Sequence, residues 1–170
     1  MINTQNPFFK TVLPHSIIRS EYNPNLIETT INTNKKFKNR FCVIVDSIPS
    51  YITTKIVDDI PITIENKIHN DRNIQNIIFN GRHYNIFFIL TIQYPNIPLA
   101  LTSNIDYVCV FNEPNLDNRK RIYKDYGGVI PTFEIFSDML NTLADHECLV
   151  IKLNGSSDIK EQVFWYKATI

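Results

Sequence analysis

The chain has 170 residues, of which 44% are hydrophobic and 20% are charged, and its formal net charge is zero. This length accommodates one domain with a sizeable core, and the composition is ordinary for a soluble globular protein. A zero net charge excludes a global basic field of the kind that attracts nucleic acid, although it leaves room for a local basic patch. We therefore expect a single domain over residues 1–170.

Strand and helix signals alternate along the first half of the chain. Residues 25–36 are predicted to form a helix, and the apolar, β-branched run at 41–45 is typical of a strand buried on both faces. After a proline-containing loop, isoleucines at near-helical spacing predict a helix over 63–79. Residues 85–92, NIFFILTI, form the second predicted buried strand.

The second half continues this alternation. A helix over 115–126 is predicted to end at Gly127–Gly128, and Pro131 opens another helix, TFEIFSDMLNTLAD. Three further strands are predicted at 106–111, 147–153 and 162–168. Because the strands are apolar and separated mostly by helices, we expect an α/β fold with a mostly parallel sheet flanked by helices.

The three cysteines and the N-terminal segment bear on the compartment. Cys42, Cys109 and Cys148 have no C-x-x-C spacing and lie within apolar runs, which predicts buried structural thiols in a reducing compartment. The segment MINTQNPFFKTVLPHS contains neither a long apolar core nor a small-residue cleavage site. We expect no signal peptide, no membrane span and no secretion.

Polar residues follow three of the predicted strands, where ligands bind in open α/β sheets: Asp46, Gln93 and Asn112. An acid at the tip of an apolar strand, as in VIVD, is typical of a Walker B motif, whose carboxylate holds the magnesium ion of a nucleoside triphosphate. The same aspartate also suits a simple turn after the strand. The pair Asp58–Asp59 is a rival for the Walker B position, but it follows a shorter apolar run.

Gln93 and Arg82 flank the second buried strand. A strand-end amide such as Gln93 can hydrogen-bond a γ-phosphate or the attacking water and act as a sensor, or it can bond a loop carbonyl. Arg82 is either a solvated loop residue or a cation offered to phosphate across a subunit interface. The neighbouring His83 has no second ligand at metal-binding spacing, so we do not expect a metal site there.

A basic cluster consists of Arg119, Lys120, Arg121 and Lys124, all within the predicted helix 115–126. One interpretation is a solvated helix face balanced by neighbouring aspartates. The other is a patch that contacts DNA phosphates, which would make binding depend steeply on salt.

The segment NGRHYNIFFILTIQYPNIPLALTSNIDYV, residues 80–108, resembles the DNA-packaging ATPases of poxviruses and giant viruses. Those enzymes belong to the FtsK–HerA superfamily of P-loop NTPases, and the resemblance extends over nearly the whole chain. It implies a partial RecA-like core, a homo-oligomeric ring, and ATP-driven pumping of double-stranded viral DNA into capsids. It also implies ATP and Mg²⁺ as cofactors, capsid components as partners, and a location in the viral factory of the host cytoplasm or in the virion.

The resemblance also implies roles for individual residues. Asp46 would hold Mg²⁺ as the Walker B acid, and Gln93 would be the sensor at the end of the next core strand. Arg82 would be an arginine finger that acts on the nucleotide of a neighbouring subunit. Two positions depart from the family pattern: Ser47 stands where a second acid usually activates water, and Thr102 stands where an arginine is common.

A third departure is the lack of a Walker A motif, because no glycine in the chain is followed by lysine. The chain is then either the C-terminal part of a packaging ATPase whose P-loop part is separate, or an inactive pseudo-ATPase that serves as an interaction or ring-scaffold subunit. In both cases we expect no ATP hydrolysis by this chain alone. Without a central P-loop strand, unpaired strand edges predict self-association, a rearranged sheet or a partner.

Overall fold

A computed structural model describes residues 11–19, 21–37, 39–46, 50–57, 60–95, 97–155 and 158–169. The chain divides into two compact units, Met1–Gln93 and Tyr94–Ile170. A single domain over 1–170 stays a prediction. Within the described ranges, no helix is both long enough and apolar enough to cross a membrane.

Within its described residues, the first unit contains two α-helices of nine or more residues, one parallel strand pair and one hairpin. In chain order these are α1 (Pro24–Phe37), β1 (Phe41–Val45), β2 (Ser50–Val57), β3 (Ile60–Lys67), α2 (Arg72–Asn80) and β4 (Ile86–Leu90). Strands β1 and β4 pair in parallel, from Phe41 opposite Ile86 to Val45 opposite Leu90. The predicted α/β class, with a parallel sheet and flanking helices, is confirmed.

Helices α1 and α2 bury one face of the β1–β4 pair. Their isoleucines recur at helical spacing and pack against the same side of the two strands. The buried side chains of this core are Ile27, Ile31, Val43, Val45, Ile68, Ile74, Ile77 and Ile86. Asp71 is the N-cap of helix α2: its carboxylate accepts hydrogen bonds from the backbone N–H groups of Asn73 and Ile74, at 2.8 and 3.0 Å.

The opposite face of the β1–β4 pair is bare, so the prediction that both strands are buried on both faces is wrong. Phe87, opposite Cys42, is 65% exposed, and Ile89 is 36% exposed. The physical reason is that α1 and α2 both cover the same face. Parallel sheets are normally covered on both sides. Here, none of the described residues covers the apolar face that carries Phe87 and Ile89.

The exposed faces also correct the expectation for the cysteines. Only Cys148 is buried, whereas Cys42 and Cys109 are exposed. Burial, with a smaller contribution from Cys109, raises the pKa of Cys148 to about 11, which keeps its thiol protonated at neutral pH. The prediction of a buried thiol is therefore confirmed for Cys148 and wrong for Cys42 and Cys109.

The predicted helix over 63–79 is wrong in its first part. Residues up to Lys67 belong to β3, which pairs antiparallel with β2 from Ser50 opposite Lys67 to Val57 opposite Ile60. The isoleucines of IPITIENK alternate with other residues, which is strand spacing, but the step from Ile64 to Ile68 also fits one helical turn. Helix α2 begins only at Arg72, after a 3₁₀ turn.

The second unit is a three-stranded antiparallel sheet with helices. Its elements are α3 (Leu99–Thr102), β5 (Tyr107–Val110), α4 (Leu116–Tyr126), α5 (Phe133–Asn141), β6 (Glu147–Lys152), α6 (Ile159–Gln162) and β7 (Val163–Lys167). The strand order is β5–β6–β7. The predicted strands and the helix over 115–126 are confirmed to within two residues, whereas the last predicted helix ends earlier, at Asn141. Their antiparallel pairing was not expected from the apolar pattern.

The core of the second unit lies between α4, α5 and one face of this sheet. Phe136, Leu140 and Ile151 are fully buried there. Each such side chain contributes about 2 kcal/mol through the apolar surface that it removes from water.

Candidate functional site

Asp46 lies at the carboxyl edge of the parallel pair, directly after β1. Because β1 and β4 are parallel, the residues that follow β4 lie at the same edge. The backbone N–H of Thr91 donates to the carbonyl of Val45 at 3.0 Å, which extends the ladder by one bond beyond β4. The structure thus places the residue after one strand next to the residue after the other.

A hydrogen bond joins the two strand ends through their side chains. The hydroxyl of Thr91 donates to Oδ1 of Asp46 at 2.5 Å, and both residues are half-buried. The carboxylate oxygen is the acceptor and the hydroxyl is the donor, so the bond connects the ends of the two strands directly. The sequence reasoning missed Thr91, although a hydroxyl two residues before Gln93, at the end of a strand parallel to VIVD, was a usable signal.

Gln93 is exposed and follows Thr91 by two residues, so it lies beyond the carboxyl end of β4. The carboxyl edge of the first unit therefore carries an acid, a hydroxyl and an amide in the order Asp46, Thr91 and Gln93. Such a set offers oxygen donors to a cation and a neutral hydrogen-bonding group to phosphate.

Arg82 lies at the amino-terminal end of the strand pair, opposite the end that carries Asp46. It is exposed and belongs to the 3₁₀ turn Gly81–Tyr84, which precedes β4. The rise along β4 alone is about 13 Å, from Ile86 to Leu90. Arg82 is therefore not part of the Asp46 site.

The turn that carries Arg82 is held by a buried amide. Asn34 of α1 is fully buried, and its Nδ2 donates to the backbone carbonyls of Tyr84 and Asn39, at 2.5 and 2.8 Å. Asn85 then adopts a left-handed backbone conformation, with φ at 53°, and accepts from the N–H of Phe41 at 3.1 Å. One side chain thus fixes the segments that lead into both β1 and β4.

The donor chemistry of the site fits a cation that is held mainly by nucleotide phosphates. In the part of the chain that the structure describes, no three His, Cys, Asp or Glu side chains converge as a metal site. Mg²⁺ in nucleotide sites commonly takes only one or two protein carboxylates, with phosphate oxygens and water as its other ligands. Asp46 can supply one such ligand. The rival pair Asp58–Asp59 and the neighbouring Ser47 lie outside the described residues.

Two further positions named from the sequence are placed in the second unit. Asn112 is exposed, two residues beyond β5. Thr102, at the position where the family resemblance expects arginine, is buried and donates its hydroxyl hydrogen to the carbonyl of Leu99 at 2.8 Å. Its hydroxyl thus makes a hydrogen bond within the short helix α3.

The basic cluster on α4 is not uniform, and Arg119 has to be removed from it. Arg119 is buried, donates through Nε to the carbonyl of Glu113, and donates through one terminal nitrogen to Oγ of Ser137 at 2.8 Å and Oδ1 of Asn141 at 2.7 Å. It joins α4 to α5 and is withdrawn from any DNA surface, because its position on the helix faces α5. Lys120, Arg121 and Lys124 are exposed.

No protein-family model matches the chain. Similar curated proteins come from large DNA viruses and are uncharacterized. Protein 075L of Invertebrate iridescent virus 6 is 34% identical over 164 residues, which are 95% of this chain and 59% of that protein. Protein 088R of Invertebrate iridescent virus 3 is 29% identical over 97% of this chain and 61% of its own length. Protein 015R of Frog virus 3 is 28% identical over 96% of this chain and 49% of its own length. The chain thus spans about half to three-fifths of these relatives.

Solved structures of similar fold are those of the genome packaging NTPase B204 from Sulfolobus turreted icosahedral virus 2. The complex of that protein with ATP-gammaS has a TM-score of 0.57 at 14% sequence identity and covers 90% of this chain and 65% of that one. Its complex with AMPPCP has a TM-score of 0.55 at 13% identity, over 85% and 62%. The chain has part of the fold of a viral genome-packaging NTPase. Within this packaging-NTPase fold, Asp46 and Gln93 follow the two parallel strands of the first unit.

Proposed function

We propose that the chain is part of a viral genome-packaging ATPase of the FtsK–HerA type, which uses ATP hydrolysis to drive double-stranded DNA into capsids. The observation that carries this proposal is the Asp46–Thr91 hydrogen bond, with Gln93 beyond it, at the carboxyl edge of a parallel pair in a packaging-NTPase fold. Ligands of α/β proteins bind at this edge. In this proposal the protein acts in a viral factory in the host cytoplasm or in the virion.

Each residue of the edge has a chemical task in this proposal. The Asp46 carboxylate would hold Mg²⁺, which would supply positive charge beside the phosphates of ATP. The Gln93 amide hydrogen-bonds the γ-phosphate or the attacking water and loses that bond after hydrolysis.

Arg82 acts on a neighbouring molecule in a homo-oligomeric ring. Arg82 precedes β4, whereas Asp46 lies at the carboxyl end of the strand pair. This separation supports the proposal, because the two residues cannot contact one nucleotide within one chain. An exposed guanidinium can stabilise negative charge on a phosphate that is bound by the next subunit.

Phosphate binding needs a part that this sequence does not contain. A P-loop binds the phosphates with successive backbone N–H groups and a lysine, and no glycine here precedes a lysine. We propose that a P-loop segment, encoded separately or in a longer polypeptide, completes the enzyme. The chain alone then binds nucleotide weakly and does not turn it over.

A second candidate is an inactive pseudo-ATPase that serves as an interaction or ring-scaffold subunit. Ser47 favours it, because serine stands where a water-activating acid is expected and a hydroxyl is too weak a base for that task. An intact packaging ATPase elsewhere in the same genome, with no P-loop reading frame beside this gene, would support this candidate.

Contact with DNA is assigned to the exposed face of α4. Lys120, Arg121 and Lys124 are exposed there, whereas Arg119 is not. Three cations spaced along one helix can track phosphates without reading bases. Capsid components are further partners of a packaging ATPase in this proposal.

Nucleotide binding tests the proposal. Titration of the chain with Mg²⁺ and AMPPCP, in the presence of a P-loop segment from the same virus, is expected to give saturable binding. Asp46→Asn should weaken the magnesium-dependent part of this binding, and Arg82→Ala should leave it unchanged within one chain. Binding that is equal in Asp46→Asn and the unaltered chain would contradict the assignment of Asp46.

A further inference from the structure

Thr91 is attached to the end of β1 at two points. Its backbone N–H donates to the carbonyl of Val45 at 3.0 Å, and its hydroxyl donates to Oδ1 of Asp46 at 2.5 Å. The residue is half-buried, as is Asp46. A side chain held at its backbone and at its hydroxyl has little freedom to rotate, so the Asp46 carboxylate has a fixed neighbour.

The orientation of a carboxylate decides how well it binds a cation. A ligating carboxylate that is itself hydrogen-bonded keeps one orientation, and removal of such a supporting partner typically lowers metal affinity by about 10-fold to 100-fold. Thr91 supplies a support of this kind to Asp46. Valine has the same shape as threonine but no hydroxyl, and it would leave Oδ1 without this donor.

We propose that Thr91 is a positioning residue that orients the Asp46 carboxylate toward a divalent cation and ties the Gln93 segment to that carboxylate. This inference rests on the proposed function, because it takes Asp46 as a cation ligand. Thr91 precedes Gln93 by two residues and β4 ends at Leu90, so any displacement of the Gln93 segment passes through Thr91 before it reaches the strand. A displacement of Gln93 would thereby reach the Asp46 carboxylate through the Thr91 hydroxyl.

The test compares Thr91→Val, which removes the hydroxyl, with Thr91→Ser, which keeps it. Mn²⁺ is titrated into the full chain in the presence of AMPPCP and the P-loop segment, and binding is followed by the paramagnetic broadening of the amide NMR signals of Asp46 and Thr91. We expect Thr91→Val to require about 10-fold more Mn²⁺ for the same broadening. Thr91→Ser should stay within about 2-fold of the unaltered chain, because the donor is retained. Asp46→Asn should abolish the effect.

The outcomes separate this inference from the proposed function. Broadening that is lost in Asp46→Asn but unchanged in Thr91→Val would overturn the positioning role and leave the cation role of Asp46 standing. Equal Mn²⁺ requirements for Thr91→Val and Thr91→Ser would do the same, whatever their size. No broadening at Asp46 in the unaltered chain would contradict the cation role itself.

A second measurement tests the hydrogen bond without a metal. The ¹³C chemical shift of the Asp46 side-chain carboxyl, recorded at pH 7, should move in Thr91→Val and stay in place in Thr91→Ser. The amide spectra of both variants confirm that the chain remains folded. A carboxyl signal that is identical in all three proteins would overturn the positioning role.

Discussion

Asn34 and Tyr84, fifty residues apart, are joined by a hydrogen bond of 2.5 Å from the side-chain amide of the first to the backbone carbonyl of the second. The same amide bonds the carbonyl of Asn39 at 2.8 Å. Asn34 is fully buried, so its amide makes both bonds from within the core of the first unit. The start of β1 and the start of β4 therefore depend on one side chain.

Replacement of this amide should destabilise the protein. We expect Asn34→Ala to lower the free energy of unfolding by about 2 kcal/mol, because two backbone carbonyls are left without their buried donor. Urea denaturation measures the loss, and Asn32→Ala on an exposed position of the same helix is the matched control. Equal midpoints for the two variants would show that the Asn34 amide contributes little.

Arg119 should behave as a structural residue. Its bonds to Glu113, Ser137 and Asn141 join α4 to α5, so Arg119→Ala should lower the free energy of unfolding by about 2 kcal/mol or more. Thermal or urea denaturation measures this loss. A stability within about 0.5 kcal/mol of the unaltered chain, the usual range for surface changes, would contradict the role.

The exposed cations of α4 should behave in the opposite way. Replacement of Lys120, Arg121 and Lys124 by alanine should leave the unfolding transition unchanged but weaken binding to double-stranded DNA. The slope of log affinity against log salt should fall by about 0.9 for each DNA phosphate that the altered helix no longer neutralises. Fluorescence anisotropy at several salt concentrations checks this, and an unchanged slope would show that α4 does not bind DNA.

Glu147 should make the second unit sensitive to acid. The backbone N–H of Ala144, the indole of Trp165 and the ammonium of Lys167 hold the pKa of Glu147 below its ordinary value. A lowered pKa in the folded state means that the stabilisation is present above the unfolded pKa and is lost as the pH falls through the folded pKa.

The Glu147→Gln variant tests this linkage. Glutamine cannot ionise, so the variant should be less stable than the unaltered chain at pH 7, and the difference should shrink as the pH falls below about 4.5. Thermal unfolding at a series of pH values measures it, with Glu161→Gln at an exposed position as the control. A difference that does not change with pH would contradict the hydrogen bonds assigned to the Glu147 carboxylate.

The bare face of the β1–β4 pair should promote association of the isolated chain. Phe87 is 65% exposed beside Ile89, and unsatisfied apolar surface of this kind favours contact with another molecule. Sedimentation velocity should show self-association that is weaker in Phe87→Ser, while Phe79→Ser on α2 serves as a control of similar chemistry. A monomeric chain at all concentrations would contradict this expectation.

Helices and strands with a strong local period could be predicted from the sequence. The run FCVIV was correctly predicted as a strand because it is short, β-branched and closed by turn residues, and the helix over 25–36 is confirmed as α1. The β2–β3 hairpin was missed because the isoleucines of residues 60–68 fit both a strand and a helical turn. Only pairing with β2, which is a long-range contact, decides between the two.

The acid and the amide of the candidate site could be proposed from the sequence, but the contact between the two strand ends could not. Asp46 and Gln93 could be named because each ends an apolar strand. Thr91 could not be connected with Asp46 until the parallel register placed the two strand ends together. Both interpretations of the basic cluster placed Arg119 on the surface, although its spacing to Ile122, Tyr123 and Tyr126 places it on the buried stripe of α4.

The sequence could not show whether both faces of β1 and β4 are buried. The composition of β1 and β4 is that of strands covered on two sides, and the described residues cover only one. Strand composition alone therefore does not show how many faces of a strand the described residues cover.

The most direct test of the central claim is steady-state ATP hydrolysis, measured with double-stranded DNA, for the chain alone and with a separately supplied P-loop segment from the same virus. We predict no turnover by the chain alone and DNA-stimulated turnover when the segment is added. Asp46→Ala and Gln93→Ala should each abolish the reconstituted activity. Turnover that survives both substitutions, or no turnover with the segment present, would contradict the claim.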